Sequence, residues 1–286
     1  MIGVIARSHI AAAAGEDPTQ WARPDWLTVG QARRLDPLAR LAACAVDHLG
    51  LETPLPPDTA LAVGTAYGSV SATQRLLDGI AHDGDDLASP AAFSASVLSH
   101  VAGALGEALG LHGPVATISQ GGTSALGALR WAWLQLAAGR ASTAVVVAAD
   151  YHSPWTAAVA AMLLPGAQQL AGGVASGASA WVLRRDAGRE LRLLDHSSES
   201  LVQVDGGALD PRAEIVLMRH AAGRIRRSAP TLLGCWYPTA VLGVPLPDDA
   251  CTLVECDRRR VIALWCGPAA VRANCGVAKR TRTESK

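Results

Sequence analysis

The chain has 286 residues, half of them hydrophobic and only 17% charged, with 25 Lys and Arg balanced by 25 Asp and Glu. A zero balance gives no electrostatic ground for nucleic acid or an anionic membrane as partner. So few charges on a chain of this length point to surface covered by something other than water.

In chain order, the start "MIGVIARSHIAAAAGEDP" lacks the long apolar core of a signal peptide. "ARRLDPLARLAACAVDHLG" carries Leu38, Leu41, Cys44, Val46 and Leu49 at helical spacing and stops at Gly50. "DTALAVGTAYGS" reads as a short buried strand entering a glycine-rich turn. "SATQRLLDGIAH" reads as a helix, and "SPAAFSASVLSHVAGALGEALGL" as a helix pair in which Gly103 permits close packing. "PVATIS" is a strand, "GTSALGALRWAWLQLAAG" a long helix ending at Gly139, and "STAVVVAAD" a strand apolar throughout, as expected where both faces are covered.

Strand, helix and strand joined by short turns imply parallel pairing with right-handed crossovers. "SGASAWVLRRD" adds a strand expected to be antiparallel at an edge. The fold class is therefore α/β. The Ala-rich tract "AAVAAMLLPGAQQLAGGVASG" is broken by Pro165, Gln168 and Gln169 and is not a membrane span. Beyond residue 186 the pattern thins to four strand-like runs, "RELRLLDHSSE", "AEIVLMRHA", "DACTLVECD" and "RRVIALWCG", the last two forming a hairpin around Asp257 to Arg259. The expected organisation is a complete half at 1–186, a reduced half at 187–270 and a solvated basic tail at 271–286.

The six cysteines, at 44, 235, 251, 256, 266 and 275, include no CxxC pair and no Cys/His cluster of zinc spacing. No metal and no other cofactor is expected, and thiols in a reducing cytoplasm are the plain reading. Motifs for a dinucleotide, a P-loop, a GxSxG nucleophile or an HExxH zinc site are absent. His152 and His220 each follow a strand, where a catalytic imidazole could sit, and each also reads as an ordinary structural histidine.

The stretch "TISQGGTSAL", residues 117–126, is built like a catalytic turn. A strand meets two glycines and then a helix, where the dipole and backbone N–H groups lower a thiol's pKa and cradle an oxyanion. A nucleophile would belong at Gly122, which has no side chain. A glycine pair there is also what tight packing or a positive φ demands in an α/β protein with no site at all.

"RRLDPLARLAACAV", "LAVGTAYGS", the continuous run from Ser89 to Asp150, and "SGASAWVLRR" appear in an order and spacing that resembles the amino-terminal half of the β-ketoacyl synthases. The resemblance runs from about Ala32 to Arg185. It implies a thiolase-like fold and a site built on a Cys-His-His set. The Cys takes the growing acyl chain from a carrier protein, and the two His support decarboxylative carbon–carbon bond formation. By that match Gly122 replaces the nucleophilic Cys. His220 in "VLMRHAAG" corresponds to the first His motif, and Cys235 in "LLGCWYPTAVLG" stands where the second His should be.

This pattern is similar to a chain-length factor, the ketosynthase-like subunit that pairs with an active ketosynthase in type II polyketide synthases. The abbreviated second half is similar to the aryl-polyene and other highly reducing subtypes. The resemblance implies no catalytic residue in this chain, a heterodimer with a catalytic ketosynthase, and an acyl carrier protein met through that partner. It also implies a tunnel at the interface whose end is closed by Thr73, Leu76, Leu77, Ser94 and Val97. Gln often stands in the Cys position of chain-length factors; here the nearest is Gln120, two residues earlier. Two other functions are compatible with the residues: an acyltransferase or thioesterase using Cys235 or His220, and a scaffold without a tunnel role.

Overall fold

The computed structural model describes residues 1–12, 16–51, 54–156, 176–194, 215–221, 224–228, 240–243, 245–257 and 260–268. Its first strand, β1 (Ile2–Ala12), is followed by α1 (Val29–Arg34) and α2 (Pro37–Asp47). What the sequence presents as one helix is two, because Pro37 excludes the helical conformation at the residue before it. Asp36 is accordingly extended, with ψ 170°, and its carboxylate accepts the Ala39 N–H at 2.8 Å as the cap of α2. Thr28 and Gln31 cap α1 reciprocally. Helix α2 ends at His48, and Gly50 follows with φ +60°, a left-handed conformation suited to glycine.

Strand β2 (Ala60–Gly64) leads to α3 (Val70–Asp83), α4 (Pro90–Ser96) and α5 (His100–Ala108). Then come β3 (Val115–Ile118), α6 (Ser124–Ala137) and β4 (Thr143–Asp150). Strands β5 (Ser176–Arg185) and β6 (Arg189–Leu194) follow, and then β7 (Ile215–Ala221), β8 (Arg224–Ser228), β9 (Cys251–Asp257) and β10 (Arg260–Cys266). The strands form one sheet in the order β3-β2-β4-β5-β1-β6-β10-β9-β7-β8. Strand β2 pairs in parallel with β3 and with β4, and every other pairing is antiparallel.

The apolar runs of β2 and β4 are explained by burial on both faces. Ala60, Ala62, Ala144, Val146 and Ala148 pack with Leu126, Leu129 and Leu136 of α6. The alternate residues Leu61, Val63, Val145, Val147 and Ala149 pack with Leu38, Leu41 and Val46 of α2 and with Val101 and Leu105 of α5. Period-2 side chains thus serve two helical layers, and the sheet lies between them.

Two expectations need correction, and two strands were not foreseen. Strand β5 is antiparallel as expected but not at an edge: it lies between β4 and β1, with its first eight residues buried. Gly103 is not a close-packing point, since a Cβ built there meets nothing within 4 Å. The amino-terminal stretch is a full strand that pairs residue by residue with β5, from Ile2 against Arg185 to Ala12 against Ser176. Strand β8 is likewise an element the apolar pattern does not announce.

The strands after β5 join the rest of the sheet through β6, which pairs with β1 at Gly3–Glu190 and Val4–Arg189. The β9–β10 hairpin is present as expected, with Asp257 opposite Arg260. No helix among the described residues is long and apolar enough to cross a membrane. The Ala-rich tract between His152 and Ser176 falls largely outside the described residues, as do Cys235 and the tail 271–286.

Candidate functional site

Parallel strands β2, β3 and β4 deliver their carboxyl ends to one side of the sheet, the side where open α/β sheets bind ligands. The turn after β3 lies there. Gly121 is left-handed at φ +59°, and Gln120 and Gly122 form an isolated bridge. The sequence-level alternative, glycine for a positive φ, therefore accounts for Gly121 but not by itself for Gly122.

The helix that follows is closed onto this turn by its own hydroxyls. Ser124 Oγ accepts the Gln120 N–H at 2.8 Å and donates to the Gly121 carbonyl at 2.7 Å. Thr123 Oγ1 donates to the Gln120 carbonyl at 3.0 Å. The backbone N–H groups of Thr123 and Ser124 donate to the Gln120 and Gly121 carbonyls at 3.3 and 3.2 Å. Both side chains are buried. Two N–H groups that could cradle an anion at this helix start are committed to the turn, and so are the two hydroxyls nearest to Gly122.

Two further glycines bring the helix in close. A Cβ at Gly64 would sit 2.5 Å from the Ser124 carbonyl oxygen, so β2 and the start of α6 touch through backbone. A Cβ at Gly127 would sit 2.9 Å from Oε1 of Gln120, so the Gln120 side chain lies back over α6 in the space that glycine leaves.

The neighbouring turn is held by a residue the sequence does not single out. Asp150, buried at the end of β4, accepts Thr65 Oγ1 at 2.9 Å and the N–H groups of Ala66 and Tyr67 at 2.8 and 3.2 Å. An acid closing an otherwise apolar strand was the available signal, but its partners lie 83 to 85 residues away. The same environment pushes the Tyr67 hydroxyl up to about 12, through burial first and the Asp150 charge second.

The candidate histidines are not gathered at the turn. His152 lies just past β4, its N–H donating to Ser176 Oγ at 2.8 Å, and burial lowers its imidazole pKa. Its Nδ1 is shut from solvent with no hydrogen-bond partner among the described residues. His220 lies on β7 opposite Ile225, with seven strands between β7 and β3 in the sheet order. Of the cysteines within the described residues, Cys44 is on α2, Cys251 and Cys256 are on β9 and Cys266 is on β10; Cys44, Cys251 and Cys266 are buried thiols. None is at the turn, and no group of three metal-ligating side chains occurs among the described residues.

The five residues expected to close a tunnel lie on α3, on α4 and at the end of α4. Thr73 Oγ1 donates to the Ser69 carbonyl at 3.1 Å and to the Ser96 carbonyl at 3.3 Å, tying the two helices together. Ser94 Oγ turns back to the Pro90 carbonyl at 2.9 Å. Leu76 is half-buried, whereas Ser94, Leu77 and Val97 are exposed. Around them lie Leu87, 73% exposed, and Phe93, the chain's only phenylalanine, 61% exposed. Helix α4 buries no residue, and α3 buries only Ala72. So many large apolar side chains exposed between residues 77 and 98 are unusual unless something covers them.

The β-ketoacyl synthase amino-terminal domain model matches residues 16–166. None of the curated proteins matches the chain. Among solved structures, the ishigamide ketosynthase/chain length factor superposes with a TM-score of 0.55 at 19% identity, covering 67% of this chain and 67% of that one. The ketosynthase ApeO in complex with its chain length factor ApeC, from Xenorhabdus doucetiae, gives 0.51 at 18% identity, covering 69% and 84%. AntDE:AntF, a type II acyl-carrier protein in complex with its ketosynthase, gives 0.54 at 15% identity, covering 65% and 63%. At such identities the likeness is one of fold. The chain belongs to the β-ketoacyl synthase family and has that family's thiolase-like fold.

Proposed function

We propose that the chain is a non-catalytic chain-length subunit, which pairs with a catalytic ketosynthase and shapes the tunnel in which that partner's acyl chain grows. The observation that carries this reading is Gly122: the family's nucleophile turn is kept, helix and all, without a nucleophile on it. The hydroxyls of Thr123 and Ser124 are spent on turn carbonyls, so neither stands ready as a substitute. Solved relatives that share the fold include complexes titled as ketosynthase with chain length factor.

In this reading the exposed apolar surface of α3 and α4 meets the ketosynthase. Thr73, Leu76, Leu77, Ser94 and Val97 close the end of the tunnel. The short second part, taken as residues 187–270, fits the aryl-polyene and related highly reducing subtypes, and the acyl carrier protein docks through the partner. The assembly is cytoplasmic. Cys235 lies in the place of a family His, and His220 alone supplies no nucleophile.

The test is acylation of the assembled pair. Co-purified heterodimer is incubated with acyl-carrier thioesters and read by intact-protein mass spectrometry. The reading predicts label on the ketosynthase chain only. Stoichiometric label on this chain would instead assign it an acyltransferase role, and failure to co-purify with any ketosynthase would remove the subunit reading.

A further inference from the structure

The carboxyl-terminal strands carry two cysteines that the proposed function does not use. Cys251 opens β9 and Cys266 closes β10, and the register sets them directly opposite each other at the end of the hairpin away from its turn. Both side chains are fully buried, in the cluster that includes Leu253, Leu264 and residues of α6. Directly opposed residues on antiparallel strands stand about 4.5–5.5 Å apart at Cα, inside the range of about 4.4–6.8 Å that a disulfide spans.

Arg189, at the start of β6, fastens the chain on both sides of this pair. Its guanidinium donates to the carbonyl of Gly267, the residue after Cys266, and to those of Pro247 and Asp249, ahead of Cys251, the latter two at 2.8 and 2.7 Å. The same group reaches Cys251 Sγ at 3.8 Å. One side chain thus holds the entry to β9 and the exit from β10 in register, and places a cation beside the thiols.

We propose that Cys251 and Cys266 are a reversible dithiol/disulfide pair that staples the open end of the β9–β10 hairpin. The reaction is thiol–disulfide exchange with a small-molecule disulfide. The Cys251 thiolate attacks one sulfur of the reagent and releases the other half as thiolate. Cys266, deprotonated, then attacks Cys251 in the mixed disulfide and releases the second half. Two protein thiols and one disulfide become one protein disulfide and two small thiols, and the two protons leave on those thiols.

Contact with Cys251, then burial, push the Cys266 thiol well above its ordinary value, while Arg189 and Arg7 pull it down. Exchange therefore proceeds through local opening of the strands, not in the closed sheet. In the dithiol state shown by the structure, the hairpin is held by its ladder and by α6. In the bridged state its two ends are joined covalently.

The full-length protein, in complex with its partner if the complex is what is stable, is equilibrated in glutathione buffers from fully reducing to fully oxidising. It is quenched with an alkylating reagent, digested and read by peptide mass spectrometry. Peptides containing Cys251 and Cys266 should appear joined and two hydrogens lighter than their sum, and dithiothreitol should separate them. The oxidised protein should melt at a higher temperature than the reduced protein, and Cys256→Ser should leave both results unchanged. If both thiols are fully alkylated across the whole range, or if Cys251 or Cys266 bridges to another cysteine instead, the pairing is wrong.

Discussion

The hydroxyl of Ser124 bridges the turn that precedes it: Oγ accepts the Gln120 N–H at 2.8 Å and donates to the Gly121 carbonyl at 2.7 Å. The first residue of α6 therefore shapes the backbone around Gly122. In this account the turn is an architectural element that keeps α6 seated between β2 and β3. Ser124→Ala removes both side-chain hydrogen bonds, leaving the Gly121 carbonyl with the residue 124 backbone N–H at 3.2 Å and the Gln120 N–H to find another partner. It should cost about 1–3 kcal/mol in chemical denaturation without changing what the partner's cysteine can do. Gly122→Cys should restore no condensation activity, measured by malonyl decarboxylation and product formation, if, as the resemblance implies, Cys235 stands at the family's second His position.

Asp36 gives the fold a pH dependence of definite sign. Burial raises its carboxyl pKa above the ordinary 3.8, opposed in order by the Ala39 N–H, His100, Arg75 and Ser69. A raised value means that the folded chain binds the proton more tightly than the unfolded chain. This contribution to stability is full below the unfolded value and is lost as pH rises through the folded one. Asp36→Asn keeps a cap acceptor for Ala39 and removes the buried charge. Thermal melts should show the variant equal to or more stable than the parent at neutral pH, with a flatter profile between weakly acidic and neutral pH. A variant that is strongly destabilised at neutral pH and steeper in profile would show that His100 and Arg75 dominate the carboxylate.

The exposed surface of α3 and α4 predicts how the chain behaves alone. Leu77, Leu87, Phe93, Val97 and Leu98 are all exposed along one stretch of sequence, and β3 stands at the end of the sheet order with Val115 exposed. Expressed without a partner, the chain should aggregate; co-expressed with its ketosynthase, it should elute as a heterodimer. Light scattering distinguishes the outcomes, and a well-behaved monomer would show that these side chains need no cover.

The legible parts of this fold were those whose signal is local. Strands β2 and β4 could be read because both of their faces are buried, so every residue except Thr143 and Asp150 at the ends of β4 is apolar. That same signal misled for β5, where "ASAWVL" shows burial but not position. Its neighbour on the other side is β1, 164 to 183 residues away by register. Strand β1 itself was hidden because Arg7, Ser8 and His9 interrupt its apolar pattern; Ser8 Oγ donates to the Ala45 carbonyl, and His9 Nδ1 meets Ser179 Oγ at 3.0 Å.

The turn at Gly122 was legible because strand, glycines and helix start are adjacent in sequence. Asp150 was not, since its role consists of bonds to Thr65, Ala66 and Tyr67 on a distant turn. Nor could Leu77 and Phe93 be told from ordinary core leucine and phenylalanine. Helical spacing marks an apolar face but not whether the same chain covers it.

The central claim is that this chain sets product length, and the most direct measurement is the length distribution of carrier-bound intermediates made by the heterodimer. Ser94 and Val97 are exposed near the end of α4, and Thr73 ties α3 to the Ser96 carbonyl. A large side chain on this surface would fill the tunnel end without entering the core of this chain. Ser94→Phe should shift the distribution to shorter chains while leaving the first condensation and the heterodimer yield as in the parent. Thr73→Trp should shift it the same way, with heterodimer yield showing whether loss of the Ser96 tie matters. If both pairs assemble in full yield and the distribution is unchanged, these residues do not line the tunnel, and the chain is a scaffold for its partner.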